Sequence, residues 1–339
     1  LPPSAAANAV TVVVPTLIAG PGLAECLNSL AAQTQPDFQV VVVDNSGKGL
    51  VRQGNFPGIA IIEMDHNVGF GAAINAAIAS SSTPFIATLN DDALAAPDWL
   101  ARLLAAIESG PRVGSCASQV RLSATGLLDS AGMLICADGS SKQRGHLRPP
   151  AEFPNSETVL LPSASAALYR RAMLEETGGF DGDFFLYCED TDLGLRAARL
   201  GWTCQYAADA VVDHHYSQSA GRVSPLKAYF VERNRIAVAI KNFPFPLLLA
   251  VPFAAIVRYF WHLVSLFRGQ GAASEFHREG NGGWRLVWFV AKAHLSAIAR
   301  LPHFWKQRRA IAATARVPDR DFTALLRRFS ISPRRVAEL

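Results

Sequence analysis

The sequence predicts an α/β fold: a mostly parallel sheet with helices on both faces, followed by a helical region that associates with a membrane. Three observations predict it. Short β-branched apolar runs alternate with segments of helical spacing over the first half of the chain. Polar or acidic residues stand directly after several of those runs. Beyond Ser224 the strand pattern stops, and long apolar helical segments lead into a basic tail.

The elements follow in order. Val10–Val14 is a continuous β-branched run that suits a strand buried on both faces. Leu23–Ala32 has helical spacing. Val40–Val43 and Ile59–Ile62 read as further strands, and Gly71–Ala79 as a helix of small and apolar residues. Phe85–Leu89 is the fourth strand. Pro97 opens a helix through Ile107, since proline is favoured in a first turn. This βαβα order predicts a parallel sheet with helices on both faces. Residues 111–168 read as hairpins, with a flexible loop at Gly139–Pro150. Residues 171–177 form a short helix, and an acidic run then enters a helix ending near Leu200, with Gly201 after it. Leu193, Ala197 and Leu200 should face the core, with Asp192 and Arg196 paired at i,i+4. Ala210–Val212 reads as a strand.

The C-terminal part has another character. Pro225–Asn242 reads as a helix. Phe243–Phe267 is strongly apolar and long enough to span a bilayer, but Pro244, Pro246, Pro252 and Arg258 favour an interfacial or re-entrant helix. Trp284–Ala299 is a second apolar helix. Residues 300–339 hold ten Lys and Arg against Asp319, Asp321 and Glu338, whereas the rest of the chain is slightly acidic. Tryptophans, scattered cations and this tail favour a membrane surface. Nucleic acid is not expected, because no reader motif accompanies the charge. The five cysteines are widely spaced without a CxxC pair and read as reduced core thiols. Leu1-Pro2-Pro3-Ser4 lacks a basic segment followed by an apolar one, so no signal peptide is expected.

Two acidic clusters carry the chemistry. Ligands of open α/β sheets bind beyond the carboxyl ends of the strands. Pro15-Thr16, Asp44-Asn45-Ser46 and Asn90-Asp91-Asp92 each follow a predicted strand and should converge on one edge. The second cluster, Glu189-Asp190-Thr191-Asp192, follows the aromatic run Phe184-Phe185-Leu186-Tyr187. Carboxylates this close repel one another unless a cation, a helix N-terminus or a shared proton offsets them. The two surroundings suggest a division of labour, with one cluster holding a metal and the other acting on a proton.

At this point the residues resemble a family. Val12-Val13-Val14-Pro15-Thr16, Val42-Val43-Asp44-Asn45-Ser46, Asn67-Val68-Gly69-Phe70-Gly71 with Asn75, Leu89-Asn90-Asp91-Asp92, Phe185 through Arg196 with Gly201-Trp202, and His214-His215 with Ser219-Ala220-Gly221 stand in the order of the inverting glycosyltransferases of family 2. Within them the chain is similar to the bacterial rhamnosyltransferase-like branch. The resemblance spans residues 10–221 and does not firmly cover 225–339. It implies the GT-A fold over residues 1–224, with 225–339 as a helical C-terminal region. It implies that Pro15, Thr16, Asp44, Asn67, Gly69, Gly71, Asn75 and Asp91 contact the nucleotide-sugar. It implies that Asp92 binds Mg²⁺ or Mn²⁺, with His214 or His215 near the metal or the diphosphate. Asn90 stands where the family often has an acidic residue. The resemblance further implies Asp190, then Glu189, as the base, with His214 as a catalytic candidate.

The implied reaction moves a sugar from dTDP-rhamnose or a UDP-sugar to a polyprenyl-linked or glycan acceptor at the cytoplasmic face of the inner membrane, by a peripheral or monotopic protein. Donor identity, linkage and oligomeric state are not encoded in these motifs. The alternative is a catalytically silent nucleotide-binding membrane scaffold, disfavoured because Asp92 and Asp190 are both present. An oxidoreductase is disfavoured because no GxGxxG follows the first strand.

Overall fold

The structure, a computed structural model, describes residues 9–54, 56, 58–215, 224–269 and 283–339. The expected features at residues 1–4 and at Ser219-Ala220-Gly221 lie outside the described residues. The first four strands form within two residues of the predicted bounds: β1 (Val10–Thr16), β2 (Phe38–Asp44), β3 (Ala60–Glu63) and β4 (Phe85–Leu89). They pair in parallel, β2 and β4 flanking β1 and β3 flanking β2. Helices α1 (Pro21–Ala31), α2 (Leu50–Gln53), α3 (Phe70–Ser80) and α4 (Trp99–Ile107) connect or cover them. Val10, Val12 and Val14 pack with Leu23, Trp99 and Leu103 on one face, while Val13 packs with Ile74 and Leu174 on the other. Both faces are buried, which explains why β1 reads as an unbroken apolar run.

The remaining strands are β5 (Ala93–Ala95), β6 (Val113–Leu122), β7 (Leu128–Ser130), β8 (Met133–Cys136), β9 (Ser141–Gln143), β10 (Glu157–Val159), β11 (Ala166–Arg170), β12 (Thr203–His214) and β13 (Ser330–Ile331). The main sheet runs β3-β2-β1-β4-β11-β6-β12-β10. Along that path β11 and β10 run against their neighbours and the other strands share one direction. The hairpins expected in 111–168 form between β6 and β7 and between β8 and β9, and β6 is in addition a central strand of the main sheet, flanked by β11 and β12. Its small and polar residues conceal it, and one of them is required there: a β-carbon on Gly114 would stand 2.8 Å from Met173. Residues 139–150, expected as a loop, contain β9 and are tied to β7 and its flank by Ala131 N to Arg144 O, 2.9 Å, and Leu128 N to Arg148 O, 2.9 Å.

Helices α5 (Arg171–Thr177), α6 (Glu189–Arg199), α7 (Pro225–Asn242), α8 (Phe245–Phe267), α9 (Gly283–Ala299), α10 (Leu301–Thr314), α11 (Asp319–Arg328) and α12 (Pro333–Glu338) complete the chain. One core cluster joins Leu161, Phe184 and Leu195 to Val238, Phe304 and Phe322. The basic tail is partly used inside the molecule. Arg308 donates to the carbonyls of Ile240 (2.8 Å) and Phe243 (2.6 Å), and Arg316 pairs with Glu176. β13 adds in parallel to β8.

By length and composition α8 is the one helix among the described residues able to cross a membrane. Its polar residues do not face outward with the apolar ones. Arg258 is buried and donates to Asp138 (2.5 Å) and Glu232 (2.6 Å). The exposed large apolar side chains are Phe245, Leu249, Phe253, Ile256, Phe260, Leu263 and Phe267, spaced by four or three residues. That spacing is a single helical stripe. Phe253 is 72 % exposed and Phe267 89 % exposed. On α9, Trp284, Val287, Trp288, Leu295 and Ile298 are exposed as well.

Candidate active site

The polar ends of β1, β2 and β4 meet on one sheet edge because the strands are parallel and in register. Thr16 is buried at the end of β1 and its hydroxyl donates to Asp91 Oδ2 at 2.5 Å. Pro15 precedes it within the strand. Asp44 ends β2 and is almost fully buried. Its Oδ1 accepts from the Ser46 amide (3.0 Å) and hydroxyl (2.5 Å), and its Oδ2 accepts from Val51 N (2.8 Å). Burial opposes its ionisation, but the bonds from Ser46 and Val51 prevail and hold the carboxyl below its ordinary range. Much of its accepting capacity is therefore spent on the turn that follows β2.

The glycine-rich loop is bound to that turn. Asn45 Nδ2 donates to Asn67 Oδ1 (3.1 Å) and Gly69 O (3.2 Å), and Asn45 Oδ1 accepts from Val68 N (3.0 Å). Gly69 has φ +86°, and a β-carbon there would stand 2.3 Å from the Phe185 carbonyl oxygen. Only glycine satisfies both conditions. A β-carbon on Gly71 would meet Phe180 at 3.0 Å and Glu189 at 3.7 Å, so this glycine lets α3 approach the acidic helix. Asn75 does not line the edge: its Nδ2 donates to Phe180 O (2.7 Å) and its Oδ1 accepts from Phe180 N (3.0 Å).

Beyond β4, Asp92 is joined to an acid that sequence reasoning missed. His214, at the end of β12, lies with Nε2 3.0 Å from Asp92 Oδ1 and Nδ1 3.2 Å from Asp129 Oδ2. Asp129, on β7, also meets His146, whose Nδ1 is 3.3 Å from Asp129 Oδ1. Burial disfavours the imidazolium, but the bonds to Asp129 and Asp92 prevail and raise the His214 pKa to about 9. Burial likewise opposes the Asp129 carboxylate, and the two histidines bring its pKa down to about 2. His214 thus presents both ring nitrogens to carboxylates. His215 donates its backbone N–H to Asp92 O (2.9 Å), and its exposed ring lies 3.9 Å from Glu25 on α1. Asp92, His214 and His215 are therefore neighbours, but they do not form a three-ligand set. No group of three His, Cys, Asp or Glu side chains is spaced to hold a metal ion among the described residues.

Mg²⁺ and Mn²⁺ need no such cage, since they take one or two carboxylates and complete their shell with phosphate oxygens and water. Asp91 and Asp92 fit that demand. Burial first, and the Asp92 charge next, push the Asp91 carboxyl upward, a repulsion that a bound cation would relieve.

Glu189 and Asp190 open α6 on the same side of the sheet, where the helix dipole favours negative charge. Glu189 is buried, and its Oε2 has no hydrogen-bond partner. Asp190 is half-buried. Its Oδ1 accepts from Thr191 N (2.6 Å) and its Oδ2 from Ala164 N (3.3 Å), just before β11 begins beside the end of β4. Burial raises both carboxyls, and for Glu189 the Asp190 charge adds to it. Two adjacent carboxyls with raised affinity for protons can accept one from a bound hydroxyl. Asp192 points the other way, into a structural cluster with Arg196 (2.8 Å), Lys241 (2.8 Å) and Asn242 (2.9 Å).

The chain is similar to known proteins in sequence and in fold. The sequence profile described as Glycosyl transferase family 2 matches residues 11–178. An N-acetylglucosaminyl-diphospho-decaprenol L-rhamnosyltransferase of Mycobacterium tuberculosis is 28 % identical over 237 residues, covering 62 % of this chain and 77 % of that protein. An N-acetylglucosaminyltransferase of Rhizobium meliloti is 29 % identical over 225 residues, covering 60 % of this chain and 50 % of that protein. In three dimensions the chain is similar to the mannosyltransferase PcManGT of Pyrobaculum calidifontis, solved with GDP-Man and Mn²⁺. The TM-score is 0.51 at 20 % identity, over 91 % of this chain and 86 % of that one. With its strand-end carboxylates, its glycine loop and an acidic helix start gathered on one edge of such a sheet, the chain belongs to glycosyltransferase family 2 and has the GT-A fold.

Proposed function

We propose that this enzyme is a metal-dependent inverting transferase that moves a sugar, rhamnose in our reading, from a dTDP- or UDP-linked donor to a polyprenyl-diphosphate-linked saccharide. Its place is the cytoplasmic face of the cell membrane. The observation that carries the reading is the convergence of Asp91-Asp92 and Glu189-Asp190 on one sheet edge, each pair in its own surroundings. The similarity to a transferase whose name specifies a decaprenol-linked acceptor supports the acceptor class.

The geometry supports the following roles. Thr16 orients Asp91, and His214 orients Asp92. These two carboxylates would hold Mg²⁺ or Mn²⁺, which when bound offsets charge on the leaving nucleoside diphosphate. Asp44, Asn45, Asn67 and Gly69 shape the nucleoside side of the edge. Asp190 accepts the acceptor hydroxyl's proton while that oxygen bonds to the anomeric carbon. The bond to the nucleoside diphosphate breaks, and the anomeric configuration inverts. Asp190 suits this role better than Glu189 because it is the more exposed of the two. Residues 1–224 form the catalytic unit in this reading, and 225–339 seat it at the membrane.

The test is release of nucleoside diphosphate from a panel of sugar nucleotides, with Mg²⁺ or Mn²⁺ and membrane lipid extract as acceptor. Release that depends on both donor and acceptor is expected, and a panel without turnover would sink the reading. In that assay Asp92→Ala should lower kcat/KM by about 10²-fold or more, because several kcal/mol of charge stabilisation depend on the metal. It should also move half-activation to higher Mn²⁺. An unchanged metal titration would remove Asp92 from the metal site.

The outward stripe of α8 supports membrane seating. Burying a phenylalanine side chain contributes about 1.5–3 kcal/mol, or roughly tenfold or more in partition. Phe253→Asp and Phe260→Asp should each weaken sedimentation with anionic phospholipid vesicles by about that factor while leaving the melting temperature near that of the parent. Equal sedimentation of parent and variants would show that this face does not enter the lipid.

A further inference from the structure

The loop that carries the acidic pair adopts a conformation its own residues disfavour. Phe185, Tyr187 and Cys188 have φ of +63°, +68° and +67°. None is glycine, and residues held so are strained and persist only where the surroundings over-determine them. Cys188 is also the residue that caps α6, immediately before Glu189, and its side chain makes no capping bond.

What over-determines the loop is one turn of α7. Asn234 Nδ2 lies 2.9 Å from Phe184 O, 2.8 Å from Leu186 O and 2.7 Å from Tyr187 O. The Arg233 guanidinium donates to Asp183 O (2.8 Å) and Phe184 O (2.7 Å). Arg233 Nε also donates to Asn234 Oδ1 at 2.8 Å, which turns the amide so that Nδ2 faces the loop. Both side chains are buried, where an unpaired carbonyl is costly. Phe185 stacks on Phe230 of the same helix, with ring centroids 5.1 Å apart. On its other side the loop meets the glycine-rich segment, Phe70 N donating to Phe185 O at 2.8 Å. One short strained segment therefore lies between α7, the glycine loop and the acidic pair.

We propose that Arg233 and Asn234 are positioning residues for the transfer: they hold 183–188 in the strained conformation that aims Asp190 at the acceptor. This rests on the role of Asp190 proposed above. Released, the loop would relax Tyr187 and Cys188 towards negative φ and turn the first residues of α6 away. A misplacement of about 1 Å at such a site costs on the order of 10² in rate.

The test uses the full chain with Asn234→Ala, Cys188→Gly and the double variant, read by transfer kinetics and by hydrogen exchange of the substrate-free protein. Asn234→Ala should lower kcat by about 10–10² while donor KM changes less. Amides of 184–191 should exchange faster, with the β1 and β4 amides unchanged. Glycine adopts positive φ at no steric cost. Adding Cys188→Gly should therefore return at least about fivefold of the lost kcat, a rescue that general destabilisation cannot produce. Arg233→Lys, which keeps the charge without the guanidinium fork, replaces Asn234→Ala if that variant does not fold. The proposal is overturned if exchange at 184–191 is unaltered, or if the kcat loss is not repaired by the glycine. A parent enzyme without transfer on any donor, combined with faster loop exchange in Asn234→Ala, would sink the transferase reading and leave the clamp standing.

Discussion

Asp190→Asn is expected to lower kcat by about 10²–10⁴, the range a positioned general base contributes, with much smaller change in donor KM. The substitution is nearly isosteric. The amide oxygen can still accept from Thr191 N, so α6 keeps its start and the loss is chemical rather than structural. The parent's rate should fall on the acid side at a pH above the ordinary aspartate range. Burial raises this carboxyl, and the base is lost when pH drops through the raised value. In the variant Glu189 loses its like-charged neighbour, so its own affinity for the proton should fall. The check is nucleoside-diphosphate release across pH for the parent, Asp190→Asn and Glu189→Gln. Full turnover in Asp190→Asn together with collapse in Glu189→Gln would transfer the base to Glu189.

Asp192→Ala should be the most destabilising single change in the acidic run, by about 3–5 kcal/mol. Asp192 is fully buried and satisfies Arg196, Lys241 and Asn242 together. Removing it takes from the buried Arg196 its only carboxylate partner among the described residues and leaves the neighbouring Lys241 with Asp181 alone. Burial alone would raise its pKa, yet Lys241 and Arg196 bring it down to about 2. A depressed carboxyl contributes stability that is complete above its unfolded value, near 3.9, and is lost as pH falls through the folded value. Denaturant unfolding should therefore show the parent losing stability between about pH 4 and pH 2. Asp192→Asn should show a flatter dependence over that window. Equal slopes in the two proteins would mean that Asp192 is not the ionised partner of these cations.

The two predictions separate residues that look alike in sequence. Three carboxylates stand within four positions, and no periodicity says which acts on substrate. Helical geometry places Asp192 inward, at i,i+4 from Arg196, and that much was readable. Its second partner was not: Lys241 is far along the chain and arrives only when α7 packs on α6. Asp129 was equally hidden. It sits in a short strand within a stretch that reads as irregular, and nothing local marks it as the second partner of His214. A buried aspartate between two histidines is a property of β7, β12 and the turn after β9 meeting, and single-strand patterns do not contain it. Asn75 shows the converse. Its place in a recognisable motif suggests a ligand contact, while the fold spends both of its amide groups on the backbone of Phe180.

By itself the sequence determined the order of the first four strands and of the helices α1, α3 and α4 among them, the edge on which the polar residues gather and the family. Each of these follows from local periodicity or from motifs read along the chain. A buried parallel strand must be apolar on both faces, and its polar end must lie at the ligand-binding edge. Only the tertiary structure decided which way each carboxylate faces. It also decided that Arg258 points inward while the apolar stripe of α8 points out. It alone decided that α7 grips the strained loop before Glu189 and Asp190. These outcomes depend on contacts between residues distant in the chain, whose desolvation, charge pairing and hydrogen-bond geometry exist only once the elements have packed.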